Sequence, residues 1–228
     1  MRGLLQAFSA MLLLVLFTGC FEVEQQLSIH PDGSVDHVLR IGQPTALAPA
    51  TLSRENRWID DVHAAVGDMA IATVDQDDRF TWYVLEAHLQ SFDAYADYRD
   101  RVIAKATERK RAFGWAMPPA ISKSSASISI SLTDAGVSND GAGEFTVNGD
   151  DPRYFTLRVS APGRVLDHDA DRTEANAVVW ERPIGAVMQN GIAANATFSD
   201  IPGWALWAVL SLLALGLGVG GLMLWRGK

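Results

Sequence analysis

From residue 21 to residue 41 apolar and polar side chains alternate. Phe21, Val23, Gln25, Leu27 and Ile29 share one parity, and Val35, His37, Leu39 and Ile41 repeat the pattern after a break. A period of two is the mark of a strand with one covered face. The break, His30-Pro31-Asp32-Gly33, is turn chemistry: Pro31 fixes φ and Gly33 accepts positive φ. The two runs therefore predict a β-hairpin. The period then lengthens. Leu52, Ile59, Val62 and Val66 fall on one face of a helix over 51–67 that Gly67 can close. Phe80–His88, rich in aromatic and β-branched residues, reads as a strand. Ser91 caps a second helix reaching about Ala112, with Asp93 in its first turn. Its apolar stripe is Phe92, Tyr95, Val102, Ile103 and Ala106, and Trp115 with Pro118-Pro119 ends it. Further strands are expected over 121–132, 144–147, 154–160, 178–180 and 191–198, with a turn cluster at 138–143. The order predicts an α+β domain, a curved antiparallel sheet or partial barrel covered by two helices.

Two segments break this patterning because they are long, mostly apolar and free of charge. Leu4–Phe17 follows Arg2 and ends at the small residues Thr18 and Gly19, just before Cys20, the chain's single cysteine. That is the layout of a secretory signal ending at a processing site. A small residue directly before Cys resembles the bacterial lipobox, in which the cysteine thiol receives a diacylglycerol and the signal is cut before it. Phe17 stands where the lipobox usually carries Leu. The alternative is an uncleaved N-terminal anchor. The second segment, 203–225, contains no charge and is followed by Arg226 and Lys228. A helix over 204–225 would be about 33 Å long, against a hydrocarbon core of about 30 Å. Trp204 and Trp207 flank one end and Trp225 the other, as interfacial aromatics do. This predicts one C-terminal transmembrane helix. Arg226 and Lys228, like Arg2, favour the cytoplasm, so both segments put the intervening domain outside. The expected organisation is a signal over 1–19, an extracytoplasmic domain over 20–200, and the span with a short tail over 201–228. Gly216 and Gly220 form a GxxxG pair that would admit a partner membrane helix.

Charge narrows the function. All 27 acidic residues but only 16 basic ones fall between Glu22 and Asp200, a net of −11 for the outer domain. Such a surface repels nucleic acid. A lone cysteine makes no internal disulfide and sits in no metal spacing. His30, His37, His63, His88 and His168 show no HExxH spacing. Asp167-His168-Asp169-Ala170-Asp171 fails as a calcium loop, because Arg172 and Val178 occupy the Gly and Glu positions. It reads as a solvated acidic loop, as do Asp75, Asp77 and Asp78. No nucleophile elbow, phosphate loop or dinucleotide fingerprint is present. The expectation is a non-enzymatic protein with no cofactor and no metal. Arg101, Lys105 and Arg109 recur every four residues along the second helix. They read as cations complementing a helix C-terminus or as contacts to anionic lipid head groups.

The order of parts adds a resemblance. The lipobox Cys20 leads into FEVEQQLSI, then an HPDGS turn and a second strand; APGRVL (161–166) and NAVVWE (176–181) follow, and one span ends the chain. This pattern resembles the LppM family of bacterial envelope lipoproteins across most of 20–225. The resemblance implies an α/β domain with a barrel-like sheet around a hydrophobic cavity, and a membrane-lipid ligand. Trp58, Trp82, Tyr95 and Trp115 are then the aromatic side chains to line such a cavity, or else to fill a core. The expected function is an envelope lipoprotein, anchored by lipid at Cys20 and by its span, binding a lipid or glycolipid through an apolar cavity. The alternative is a structural or assembly module that binds another membrane protein.

Overall fold

A computed structural model describes residues 22–45, 56–108, 117–134, 154–184, 186–187, 191–200 and 211. Cys20, Arg109, Trp115, the 138–147 region and the 203–225 segment apart from Ser211 lie outside these residues. Among the described residues no helix is long and apolar enough to cross a membrane.

The hairpin forms as its pattern dictates. β1 (Glu22–Ile29) and β2 (Val35–Pro44) pair antiparallel from Ile29↔Val35 to Glu22↔Gly42. Helix α1 (Asn56–Val66) buries Ile59, Val62 and Val66. β3 (Ala70–Gln76) and β4 (Phe80–Leu89) follow as a second hairpin. Helix α2 (Phe92–Glu108) starts on the cap expected of Ser91, whose Oγ accepts from the Ala94 N–H at 3.2 Å. It buries Tyr95, Tyr98, Val102 and Ala106. The expected strand over 121–132 is two: β5 (Ala120–Lys123) and β6 (Ser127–Asp134), with Ser124 turning the chain between them. β7 (Tyr154–Ser160), β8 (Val165–His168), β9 (Arg172–Glu174), β10 (Ala177–Pro183) and β11 (Ile192–Ser199) follow among the described residues.

Among the described residues the strands make two sheets, and no closed barrel. The larger runs β3-β4-β2-β1-β7-β10-β9 and the smaller β5-β6-β11-β8. The expectation of a purely antiparallel sheet is corrected at the centre of the larger one. β1 and β7 lie parallel, from Val23↔Phe155 to Ser28↔Ser160. Period-two patterning fixes which face of a strand is covered but not the direction of its partner, so only assembly decides this. Both sheets turn an apolar face inward. Val23, Leu27, Leu39, Leu85, Phe155, Leu157, Val159 and Trp180 on one meet Ile128, Ile130, Leu132 and Phe198 on the other in one buried cluster with α1 and α2. This is the α+β architecture in which covered faces pack against each other.

Two segments read as free acidic loops have structural work instead. Asp75 belongs to β3. Asp77 Oδ1 accepts from the N–H groups of Arg79 and Phe80, each at 2.7 Å, and Oδ2 accepts from Trp82 Nε1–H at 2.8 Å. The Trp82 bond leads the causes that hold the Asp77 carboxyl below its usual range. In the second segment His168 ends β8, and Asp169 staples three strands. Its Oδ1 accepts from Trp180 Nε1–H at 2.7 Å and from the Asn195 N–H at 2.8 Å, and its Oδ2 accepts from Asn195 Nδ2 at 3.0 Å. Asp171 pairs with Arg182 and accepts from the Glu181 N–H at 2.7 Å.

Candidate functional site

A concave site among the described residues lies at the turn end of the β1–β2 hairpin. It is an open cleft of about 510 Å³ lined by His30, Pro31, Asp32, Ser34, Asp36 and His88. The turn builds its floor. Gly33 takes φ 87, its N–H donates to His30 O at 3.0 Å, and His30 N–H donates to Ser34 O at 2.9 Å. Asp32 Oδ1 accepts from both the Ser34 N–H (2.9 Å) and the Ser34 Oγ–H (2.7 Å), the local carboxylate turn that short polar side chains favour. Those two bonds, led by the hydroxyl, hold the Asp32 carboxyl below its usual range.

Asp36 is the centre of the cleft wall. β2 and β4 set it directly across from His88, and the turn returns His30 to its other side. His30 Nε2 sits 2.7 Å from Asp36 Oδ2, and His88 Nδ1 bonds Oδ1. Burial pushes the Asp36 carboxyl up, but the two imidazole hydrogen bonds and their charge outweigh it, and the net shift is downward. An ionised carboxylate only accepts, so each imidazole presents an N–H to it. Ser34 Oγ is committed to Asp32 rather than to an imidazole. Among the described residues no group of three or more His, Cys, Asp or Glu converges to hold a metal ion. The arrangement suits recognition by hydrogen bond and charge: acceptors at Asp32 and Asp36, and imidazole edges on either side.

Of the residues expected to line an apolar cavity, the two whose side chains are described, Trp82 and Tyr95, lie in separate clusters. Successive side chains of β4 point to opposite faces, and Trp82 is on the face away from the core. There it packs with Phe80, Val84 and Val38, over Gly42, with the Arg40 guanidinium 4.5 Å from its ring centroid. Tyr95 is on the core side, 2% exposed, its hydroxyl donating to Pro119 O at 2.6 Å. Trp58 is in α1 with its side chain outside the described residues, and Trp115 is outside them altogether. Of the three cations, Arg101 is exposed and pairs with Asp97, with Nε at 3.2 Å and Nη2 at 3.0 Å. Lys105 is in the last turn of α2, and Arg109 lies beyond the described helix.

A buried polar group was not singled out from the sequence. Gln25 and His37 stand in phase with the inward residues of β1 and β2, which is the signal that could have found them. Both are essentially unexposed. Gln25 Nε2 donates to Met117 O at 2.9 Å and to His37 Nε2 at 3.0 Å, and His37 Nδ1 lies 3.0 Å from the Tyr98 hydroxyl. With Nε2 accepting, the ring carries its proton on Nδ1 and donates to Tyr98. Burial pushes the His37 pKa down to about 3. Three successive carbonyls, of Met117, Pro118 and Pro119, accept from Gln25, Arg99 and Tyr95. The two prolines have no N–H to bond in return, so side chains hold this segment in place.

The chain matches no protein-family model and no curated protein. It is similar to the NMR structure of the folded domain of Mycobacterium tuberculosis LppM, at 12% identity and a TM-score of 0.49, over 79% of this chain and 90% of that one. A likeness this distant says nothing about ligand or activity; those follow from this chain's own side chains.

Proposed function

We propose that the chain is a bacterial envelope lipoprotein, tethered by lipid at Cys20 and by a helix over 203–225, whose outer domain is a non-catalytic binding module. Support for the tethers is the pair of mostly apolar, uncharged segments that bracket the patterned domain. Replacing Cys20 with serine should abolish incorporation of an alkyne-palmitate analogue that labels the wild type. An unlabelled wild type would remove the lipid from this reading.

The ligand is an envelope lipid or glycolipid, read by its polar head. The observation that carries this is the cleft around Asp36, where two carboxylates, two imidazoles and Ser34 converge beside Pro31. An acyl-chain cavity would need roughly 300 Å³ of apolar space. The described inner faces instead meet in packed side chains, with Trp180, Tyr95, Tyr98, Phe155 and Phe198 fully buried. A head carrying hydroxyl or ammonium groups complements Asp32 and Asp36. Native mass spectrometry of the fragment 21–200 from its own host should show a lipid or glycolipid adduct, lost in the pair Asp36→Asn, His88→Ala. A clean apo mass for the wild type would reject lipid binding.

A second reading, docking of another membrane protein, has one observation behind it. β3 is an edge strand of the larger sheet, and Ile71 and Val74 are each 65% exposed. Exposed apolar edges invite pairing with another strand. Co-purification of a protein with the clean apo domain would favour it.

A further inference from the structure

We propose that the two tethers leave the domain at opposite ends of β1 and so lay it lengthwise along the membrane surface. This rests on the doubly tethered reading above and adds a posture to it.

The entry point is fixed by β1 itself. Glu22 starts the strand across from Gly42, at the end where Arg79 and the β3–β4 turn lie; Arg79 Nη2 is 3.7 Å from the Glu22 carboxylate. The strand runs away from there to Ser28, whose Oγ meets Ser160 Oγ at 3.2 Å, and on to the His30–Ser34 turn. Two separate contacts put the exit point at that far end. Gly163 follows Ser160 by three residues and packs directly on the Ser199 backbone, so close that a Cβ would fall 1.5 Å from Ser199 O. Asp200 Oδ2 is 3.2 Å from Lys123 Nζ, and that ammonium is 5.3 Å from the centroid of the Phe92 ring. A Cβ on Gly33, in the turn, would touch the same ring at 3.8 Å. From Glu22 to Ser28 is six strand steps, about 20 Å.

The connecting chain is too short to hide that separation. Two peptide steps join Cys20 to Glu22 and span at most about 7 Å; four join Asp200 to Trp204 and span at most about 14 Å. If the Glu22 end sat on the membrane and β1 stood upright, the span could not start inside the bilayer. If the turn end sat down, the acylated Cys20 would hang clear of it. Only postures with β1 within about 45° of the membrane plane satisfy both tethers. The Asp36 cleft, at the turn end, is thereby kept beside the head groups rather than projected into the envelope.

The test uses the full chain, reconstituted into vesicles of phosphatidylethanolamine and phosphatidylglycerol carrying a headgroup-labelled energy acceptor. Donor dyes go on Pro31→Cys at the turn end or Asp78→Cys at the entry end; the acylated Cys20 thiol takes no dye. Both ends should show comparable transfer. A flexible twenty-residue insertion after Asp200 adds about 25 Å of reach and should lower transfer from residue 31 while leaving residue 78 unchanged. Transfer that is much weaker at one end of the unmodified chain, or that ignores the insertion, overturns the posture. Palmitate-analogue labelling of the full chain, and vesicle co-flotation of a chain starting at residue 21 that only the span can hold, separate the two failures. Loss of either signal rejects the tethers, and with both present a mismatch between the ends rejects the posture alone.

Discussion

Replacing Gly163 with alanine will unfold the outer domain or lower its unfolding free energy by more than about 3 kcal/mol, at or beyond the upper end of usual overpacking costs. The added Cβ would sit 1.5 Å from the Ser199 carbonyl oxygen, 2.6 Å from its carbon and 3.2 Å from its Cα. All three atoms are backbone, so no side chain can swing aside. Neither strand can retreat cheaply. Ser199 N–H donates to Arg164 O at 2.8 Å, and Ser199 is also paired across β11–β6 with Ser127. Moving it would open both sides of β11 at once. Gly67→Ala is the control. Gly67 has φ 59, and nothing lies within 4 Å of a Cβ there, so the cost is only that of a left-handed backbone, about 1 kcal/mol. Urea unfolding of both variants checks the pair. A Gly163→Ala midpoint as close to wild type as that of Gly67→Ala would show that the PGRV turn yields.

Acid will destabilise the domain well before its carboxylates titrate. His37 has a folded pKa of about 3, pushed down by burial, against about 6.5 in an unfolded chain. Between those values the unfolded chain binds a proton that the folded one does not. Stability is therefore complete above pH 6.5 and falls as pH drops, by about 1.4 kcal/mol per pH unit. By pH 5 the loss is about 2 kcal/mol. Below about pH 4 the lowered carboxyls of Asp32, Asp36, Asp77, Asp169, Asp171 and Glu174 add losses of the same sign. Protonation also breaks a specific bond. His37 Nε2 accepts from Gln25, and a protonated ring has nothing to accept with. Turning the Gln25 amide to answer would withdraw Nε2 from Met117 O. Unfolding free energies at pH 7 and pH 5 measure the effect, and His37→Gln should flatten the slope. Should that variant not fold, the wild-type imidazole can be followed by NMR. A ring that protonates near pH 6 in the folded protein would sink the prediction.

The hairpin, both helices and the strands at 154–160 and 191–198 were legible because each has one covered face, and a covered face writes its period into the chain; the strand at 80–88, buried on both faces over its first six residues, was legible from its aromatic and β-branched composition instead. β3 was missed: its face is mostly exposed, and AIATVDQ carries no alternation. The short β9 was missed for the same reason, since its pattern is set by the Arg158, Arg172 and Glu174 ion pairs rather than by a core. Tyr98 escaped the stripe of α2, yet it is fully buried and holds His37. The cleft was legible only as turn chemistry. His30, Asp36 and His88 are spread over 59 positions, and nothing in their spacing says that they meet.

Residue order alone sets the periods: which residues are covered in the helices and the patterned strands, which stretches are mostly apolar and uncharged, and how much acid the intervening domain carries. These are properties of single segments, set by rise and rotation per residue. Assembly chooses which strands are neighbours and in what direction, so that β1 lies parallel to β7, Trp82 and Tyr95 fall on opposite sides of the larger sheet, and Glu22 and Asp200 stand at opposite ends of β1. Those facts depend on contacts between segments far apart along the chain. No local period encodes them, because one covered face can be buried against many partners.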